Sequence, residues 1–187
     1  MRRAAGALLL SALAACSSGG GRDVRPSDVA DACAIFRDNP HWVKPTADAA
    51  RRWGAPPEVK LAIIWRESTF RRDARPPGRV SSAYGYSQAI DGTWDWYRRE
   101  TGNRRADRTE YEDAIDFVGW YMAKTRSMNG LSPHDAFNQY LAYHEGHTGY
   151  KRGDWRGKPF LIRAASQVDQ QARRYREQLR RCGDRVS

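Results

Sequence analysis

The chain has 187 residues, of which 40% are hydrophobic and 11% aromatic, and its formal net charge is +10. That composition supports one compact domain with a buried core and excludes a disordered polymer. No apolar run in it reaches the ~18–20 residues of a membrane-spanning helix.

Residues 1–15, "MRRAAGALLLSALAA", place Arg2 and Arg3 before a short apolar stretch and then small residues, the pattern of a removable export signal. Leu13-Ala14-Ala15-Cys16 resembles a bacterial lipobox, which implies lipidation at Cys16 and cleavage before it. A plain signal with an incidental cysteine is the alternative. The segment 16–27 contains "SSGGGR" and reads as a flexible tether. Ser17 rather than Asp after the cysteine implies sorting to the outer membrane, facing the periplasm, as in Gram-negative lipoproteins. Without Arg2 and Arg3 the net charge falls from +10 to +8. Export argues against nucleic acid as the partner and for an anionic wall or lipid surface, or simply an Arg-rich solvated face. With Cys16 acylated, Cys33 and Cys182 remain, and an oxidising compartment suggests one disulfide between them rather than two free thiols.

Helical patterns dominate residues 28–187, the expected domain. "DVADACAIFRD" is a short amphipathic segment, and "PTADAARRWG" is a helix closed by Gly54. Pro57 opens the helix "PEVKLAIIWRES". Pro76, Pro77 and Gly78 leave residues 71–88 irregular, with room for at most a small hairpin. Asp91 to Thr93 can cap a helix that stops near Gly102. "EYEDAIDFVGWYMAKTRSMNG" ends at Gly130, and the next helix, "SPHDAFNQYLAYH", starts at Ser132-Pro133. A loop through Gly146, Gly149, Gly153 and Gly157 is expected before a terminal helix whose stripe runs through Leu161, Ile162, Ala165, Val168, Ala172, Tyr175 and Leu179. No strand stands out, and no repeat of 20–50 residues is present.

Three segments could carry chemistry. In "LAIIWRESTF", Glu67 continues an i+4 row from Val59 and Ile63. A carboxyl against apolar surroundings has a raised pKa, which suits a general acid; the plainer reading is an exposed helix end pairing with Arg71. In "SSAYGYSQAIDGTW", Gly85 allows a tight turn, Tyr84 and Tyr86 offer flat rings, and Gln88 offers an amide. Sugar sites use that mixture, although a turn packing two tyrosines on the core would look the same. In "AYHEGHTGY", His144, Glu145 and His147 cluster, but zincin spacing needs histidines four apart on a continuous helix. A metal site is therefore not expected, and Tyr143 stands as a sugar contact.

Taken in order, "ESTF", "AYGYSQ" and "AYHEG" resemble the Glu-Ser, Gly-Leu-Met-Gln and Ala-Tyr-Asn-Ala-Gly motifs of lytic transglycosylases with the SLT domain, over about residues 57–180. The resemblance implies a mainly α, lysozyme-like domain that cleaves peptidoglycan glycan strands without a cofactor, and is expected to act as a monomer. It puts Glu67 at the catalytic acid and Ser68 at the serine after it. Gly85 and Gln88 fall at the ends of the second motif, and Ala142, Tyr143 and Gly146 in the third. Tyr86-Ser87 stands where the family has Leu-Met, and His144-Glu145 where it has Asn-Ala, the marks of a divergent branch. Ser68, Tyr84, Gly85, Tyr86, Gln88, Tyr143, His144 and Glu145 are the expected substrate contacts. Two other readings stay open: a lysozyme-like hydrolase using Glu67 and Glu145, and an inactive wall-binding lipoprotein.

Overall fold

A computed structural model describes residues 23–182; Cys16, the expected export signal and most of the expected tether lie outside them. Among the described residues seven α-helices follow one another: α1 Ala32–Asp38, α2 Val43–Trp53, α3 Pro57–Ser68, α4 Asp91–Thr101, α5 Tyr111–Asn129, α6 Ala136–Arg152 and α7 Pro159–Cys182. The described residues contain no strand. The irregular stretch 71–88 holds a short 3-10 turn at Pro77–Arg79 and a single antiparallel bridge, Tyr84 to Ala89.

The helix boundaries follow local chemistry. Pro57 sits in the first turn of α3, where its missing N–H costs no hydrogen bond. Gly54, Gly102 and Gly130 close α2, α4 and α5 in the left-handed conformation. Two expectations shift. α6 starts at Ala136 rather than Ser132, because the Asp135 side chain accepts the Asn138 N–H and caps the helix there. The glycine-rich stretch after His144 is mostly helix: the backbone breaks only at Gly146 (φ 74°, ψ 158°) and then winds on to Arg152. Gly149 serves close packing there, since a Cβ would lie 3.3 Å from the Glu145 Cβ.

α3 is the central helix. Val59, Leu61, Ala62, Ile63 and Ile64 are fully buried, and the helix packs mainly on α7, while α2 lies on α5 and α6 lies across α5 and α7. α7 uses the expected stripe, with Ala164 and Gln171 also buried and Ile162 and Leu179 only partly so. Lys60 is buried too, donating to the Thr46 carbonyl at 2.8 Å; desolvation lowers its pKa to about 7 against the pull of Asp116 and Glu58. A disulfide joins Cys33 in α1 to Cys182 at the end of α7. Alongside it, the Gln178 side chain accepts the Ala32 N–H, the Gln171 side chain donates to the Ala30 carbonyl, and the Tyr175 hydroxyl donates to the Val29 carbonyl.

Residues 23–27, read from the sequence as the end of the tether, lie against the domain. Asn39, fully buried, pairs both ways with the Val24 backbone, and Ser27 donates through N–H and hydroxyl to Asp38. Asp23 accepts from Trp42 Nε1 at 2.7 Å, pairs with His41 Nε2 at 2.8 Å and accepts from the Tyr86 hydroxyl at 3.1 Å. Replacing Asp23 with Ala leaves the Trp42 and Tyr86 donors facing low-dielectric surroundings. The expected cost is about 2–4 kcal/mol, read as a lower denaturation midpoint in urea with an unchanged m-value.

Candidate active site

A groove of about 490 Å³ crosses the domain where α3, the 71–90 segment, α5 and α6 meet. Glu67, in the last turn of α3, lies on it with Gln88 beside it. Phe117 and Tyr121 of α5 and Tyr143 to Gly146 of α6 form the other wall. Pro76, Ser81, Ala83, Ala89, Ile90 and Thr93 complete the lining.

Val59, Ile63 and Glu67 share one helix row as expected, so the row that anchors α3 in the core delivers the carboxyl to the groove. Desolvation raises the Glu67 pKa from 4.5 to about 7, opposed by a hydrogen bond from Tyr140 and by the charge of Arg66. The alternative ion pair is not formed, because Arg71 Nε donates to the Ser68 carbonyl instead. Directly after this turn, Thr69 (φ 49°) and Phe70 (φ 56°) are both left-handed although neither is glycine. Such residues carry local strain of order 1 kcal/mol or more. Burial of the Phe70 ring, stacked 6.0 Å from Trp42, fixes the bend, and the chain turns away from the groove just beyond Glu67.

Residues 84–88 build the lip that carries Gln88. Gly85 (φ 74°) donates its N–H to the Ala74 carbonyl, and a Cβ there would fall 2.0 Å from the Arg108 carbonyl oxygen, so only glycine fits. Gln88, also left-handed at φ 50°, spends its side-chain N–H groups on the Ala74 and Gly85 carbonyls at 2.9 and 2.8 Å. Tyr143 donates its hydroxyl to the Ser87 carbonyl at 2.6 Å and so ties α6 to this lip. Burial, reinforced by the nearby Glu67, holds the Tyr143 pKa well above the ordinary phenol value, and the ring stays neutral.

Several residues expected on the substrate stand elsewhere. Tyr86 is 1% exposed and belongs to the core, edge-on to Trp42 and Tyr111 with its hydroxyl on Asp23. Tyr84 lies under the Arg75 guanidinium, 3.8 Å from the ring centroid, and lines a separate surface hollow with Arg108. The backbone turn at Gly85 and their partners, Arg75 for Tyr84 and Asp23 for Tyr86, leave neither ring in the groove lining. Ser68 is buried, its hydroxyl bonded to the Ile64 carbonyl. Gly85 shapes the lip and is absent from the groove lining.

His144 and Glu145 do line the groove, but Glu145 is occupied. Lys158 Nζ lies 2.7 Å from Glu145 Oε2, and His144 Nδ1 lies 3.1 Å from Oε1. These partners outweigh its desolvation and hold the Glu145 carboxyl below its ordinary range. His147 points into the protein, stacked on Tyr121 and bonded through Nε2 to the Thr125 hydroxyl. Residues that sequence reasoning missed include Phe117 and Tyr121 on the groove wall and Lys158 on Glu145. They sit mid-helix or in a loop with no local signal: the packing of α5 on α6 brings Phe117 and Tyr121 to the groove, and that of α7 on α6 brings Lys158 to Glu145.

A family model described as the transglycosylase SLT domain matches residues 4–182. The chain belongs to this transglycosylase SLT domain family. Its helical architecture is that of the lysozyme-like SLT fold, and membership supports lytic transglycosylase activity on peptidoglycan in general terms. No curated protein sequence matches this SLT domain.

Proposed function

We propose that the SLT domain cleaves the β-1,4 bond between N-acetylmuramic acid and N-acetylglucosamine without water, with Glu67 as the only proton carrier. The observation that carries this reading is the contrast between the two groove carboxyls. Among the described residues no cation is bonded to Glu67, whose pKa is near 7, whereas Glu145 is held ionised by Lys158 and His144. Environments that separate two carboxyls in this way assign their roles.

Protonated Glu67 gives its proton to the glycosidic oxygen as the bond to C1 breaks. The positive charge that develops at C1 is shared with the ring oxygen or the acetamido group. Glu67, now a carboxylate, takes the proton of the muramic C6 hydroxyl, and that oxygen closes on C1. One bond to C1 is exchanged for another, the proton moves from O6 to the departing sugar, and a 1,6-anhydro end results. Hydrolysis would need a second free carboxylate to activate water or attack C1, and Glu145 is committed to Lys158. Tyr143 holds the lip closed against α6, and Gln88 lines the groove with its amide N–H groups already spent on the Ala74 and Gly85 carbonyls.

The test is mass spectrometry of strands digested by the purified domain. Every new muramic end is expected to be lighter by one water than a reducing end. Reducing ends would favour the hydrolase with Glu145, and no released glycan would favour an inactive wall-binding protein. We propose further that Cys16 carries a lipid and holds the enzyme at the outer membrane. Because residues 23–27 pack on the domain, the link from Cys16 to Asp23 could reach roughly 25 Å at full extension.

A further inference from the structure

The seam between α5 and α6 continues beyond the groove. On α5, Tyr121, Thr125 and Asn129 follow at four-residue steps. Tyr121 lines the groove, Thr125 bonds His147 Nε2 at 3.1 Å, and Asn129 donates to the His147 carbonyl at 3.0 Å. Past His147 the seam opens again into a hollow of about 250 Å³ lined by Met128, Asn129, Tyr150, Lys151, Trp155 and Arg156. The helical rise puts this hollow about 12 Å along α5 from the groove wall.

The hollow has a flat aromatic wall and a fixed cation. Tyr150 and Trp155 stack at 19° between planes, with 6.2 Å between centroids. The Tyr150 hydroxyl is committed to Asn138 Oδ1. Arg156 lies 5.2 Å from the Trp155 centroid and close over Gly153, where a Cβ would meet Nη1 at 2.1 Å. Lys151 is exposed beside it, and among the described residues neither Lys151 nor Arg156 has a carboxylate partner. A guanidinium packed on an aromatic ring, with its donors unspent, suits a carboxylate attached to an apolar or flat chain.

We infer that this hollow binds the carboxylate-bearing stem peptide of a strand whose sugars lie in the groove. The inference rests on the proposed function, which makes the substrate peptidoglycan. Reach supports the assignment: a five-residue peptide extends to about 17 Å, more than the ~12 Å that separates the two sites. Charge supports it as well, since the hollow has two cations and the peptide carries carboxylates.

The test compares peptide-bearing sacculi with strands stripped of peptides, using the full chain and the double variant Lys151→Ala/Arg156→Ala. Both side chains are exposed, so the variant should fold. Binding is measured by co-sedimentation in a Glu67→Gln background, and digestion in the active background. The unsubstituted hollow is expected to favour peptide-bearing sacculi, and the double variant to lose about tenfold in affinity for them. Its binding and turnover on stripped strands should not change. An equal loss on both substrates marks a general charge effect and overturns the proposal, as does no loss on either. If the active protein releases no glycan, the proposed reaction fails, yet the co-sedimentation arm still decides whether the hollow reads peptide.

Discussion

Glu67→Gln is expected to lower release of anhydro-ended fragments by about 10³-fold or more, because in the proposed reaction one side chain serves as acid and then as base. Gln keeps the shape of the carboxyl and cannot carry the proton. In the proposed cycle, the form of Glu67 that starts the reaction is the protonated one. With a pKa of about 7, the rate should fall as pH rises through neutrality. The same shift has a consequence for stability. A carboxyl whose pKa is higher in the folded state stabilises the fold fully below its unfolded value, and that contribution is lost as pH rises through the folded value. Between the ordinary 4.5 and about 7, the unsubstituted chain therefore loses stability that Glu67→Gln retains. At pH 8 the variant should be more stable, by at most about 3 kcal/mol before screening by water in the groove is discounted, and the difference should shrink toward zero near pH 4. Paired activity and urea-denaturation profiles check both signs. A variant that is inactive and also less stable at pH 8 would show that Glu67 is a structural partner and not a desolvated acid.

Removing the disulfide should have the second largest effect. Cys33 and Cys182 are 149 residues apart, so the bridge constrains nearly the whole unfolded chain. Chain-entropy arguments give about 4–5 kcal/mol for a loop of that length. Cys33→Ser/Cys182→Ser is expected to fold, because Gln171, Gln178 and Tyr175 still hold the segment before α1 on α7. Its denaturation midpoint should drop to that of the unsubstituted protein in reductant, and reductant should leave the variant unchanged. An unsubstituted protein insensitive to reductant would refute the stabilising role of the bridge.

How much was legible in advance depends on the range of the interaction that decided each feature. The helices were readable because their signals are local: Pro57 at a first turn, Gly54, Gly102 and Gly130 just past helix ends, and an apolar row through Val59 and Ile63 that points Glu67 at the groove. Motif order gave the family, and the matching family model spans residues 4–182. Side-chain destinations at the lip were not readable. Tyr84 and Tyr86 look like sugar platforms in one dimension, but the backbone turn at Gly85 and the pull of Asp23 and Arg75 send them elsewhere. Glu145 was equally ambiguous until α7 packed on α6 and brought Lys158 within 2.7 Å.

The residue that raised the question of chemistry shows the division most clearly. Periodicity sets which face of α3 carries Glu67, because a helix repeats every 3.6 residues whatever surrounds it. Whether that carboxyl is a solvated partner of Arg71 or a desolvated acid depends on what the rest of the chain places around it. Tyr140 and Tyr143 come from α6, more than 70 positions away in the sequence, and a pKa responds to the dielectric and charges within a few ångströms, whatever their distance along the chain.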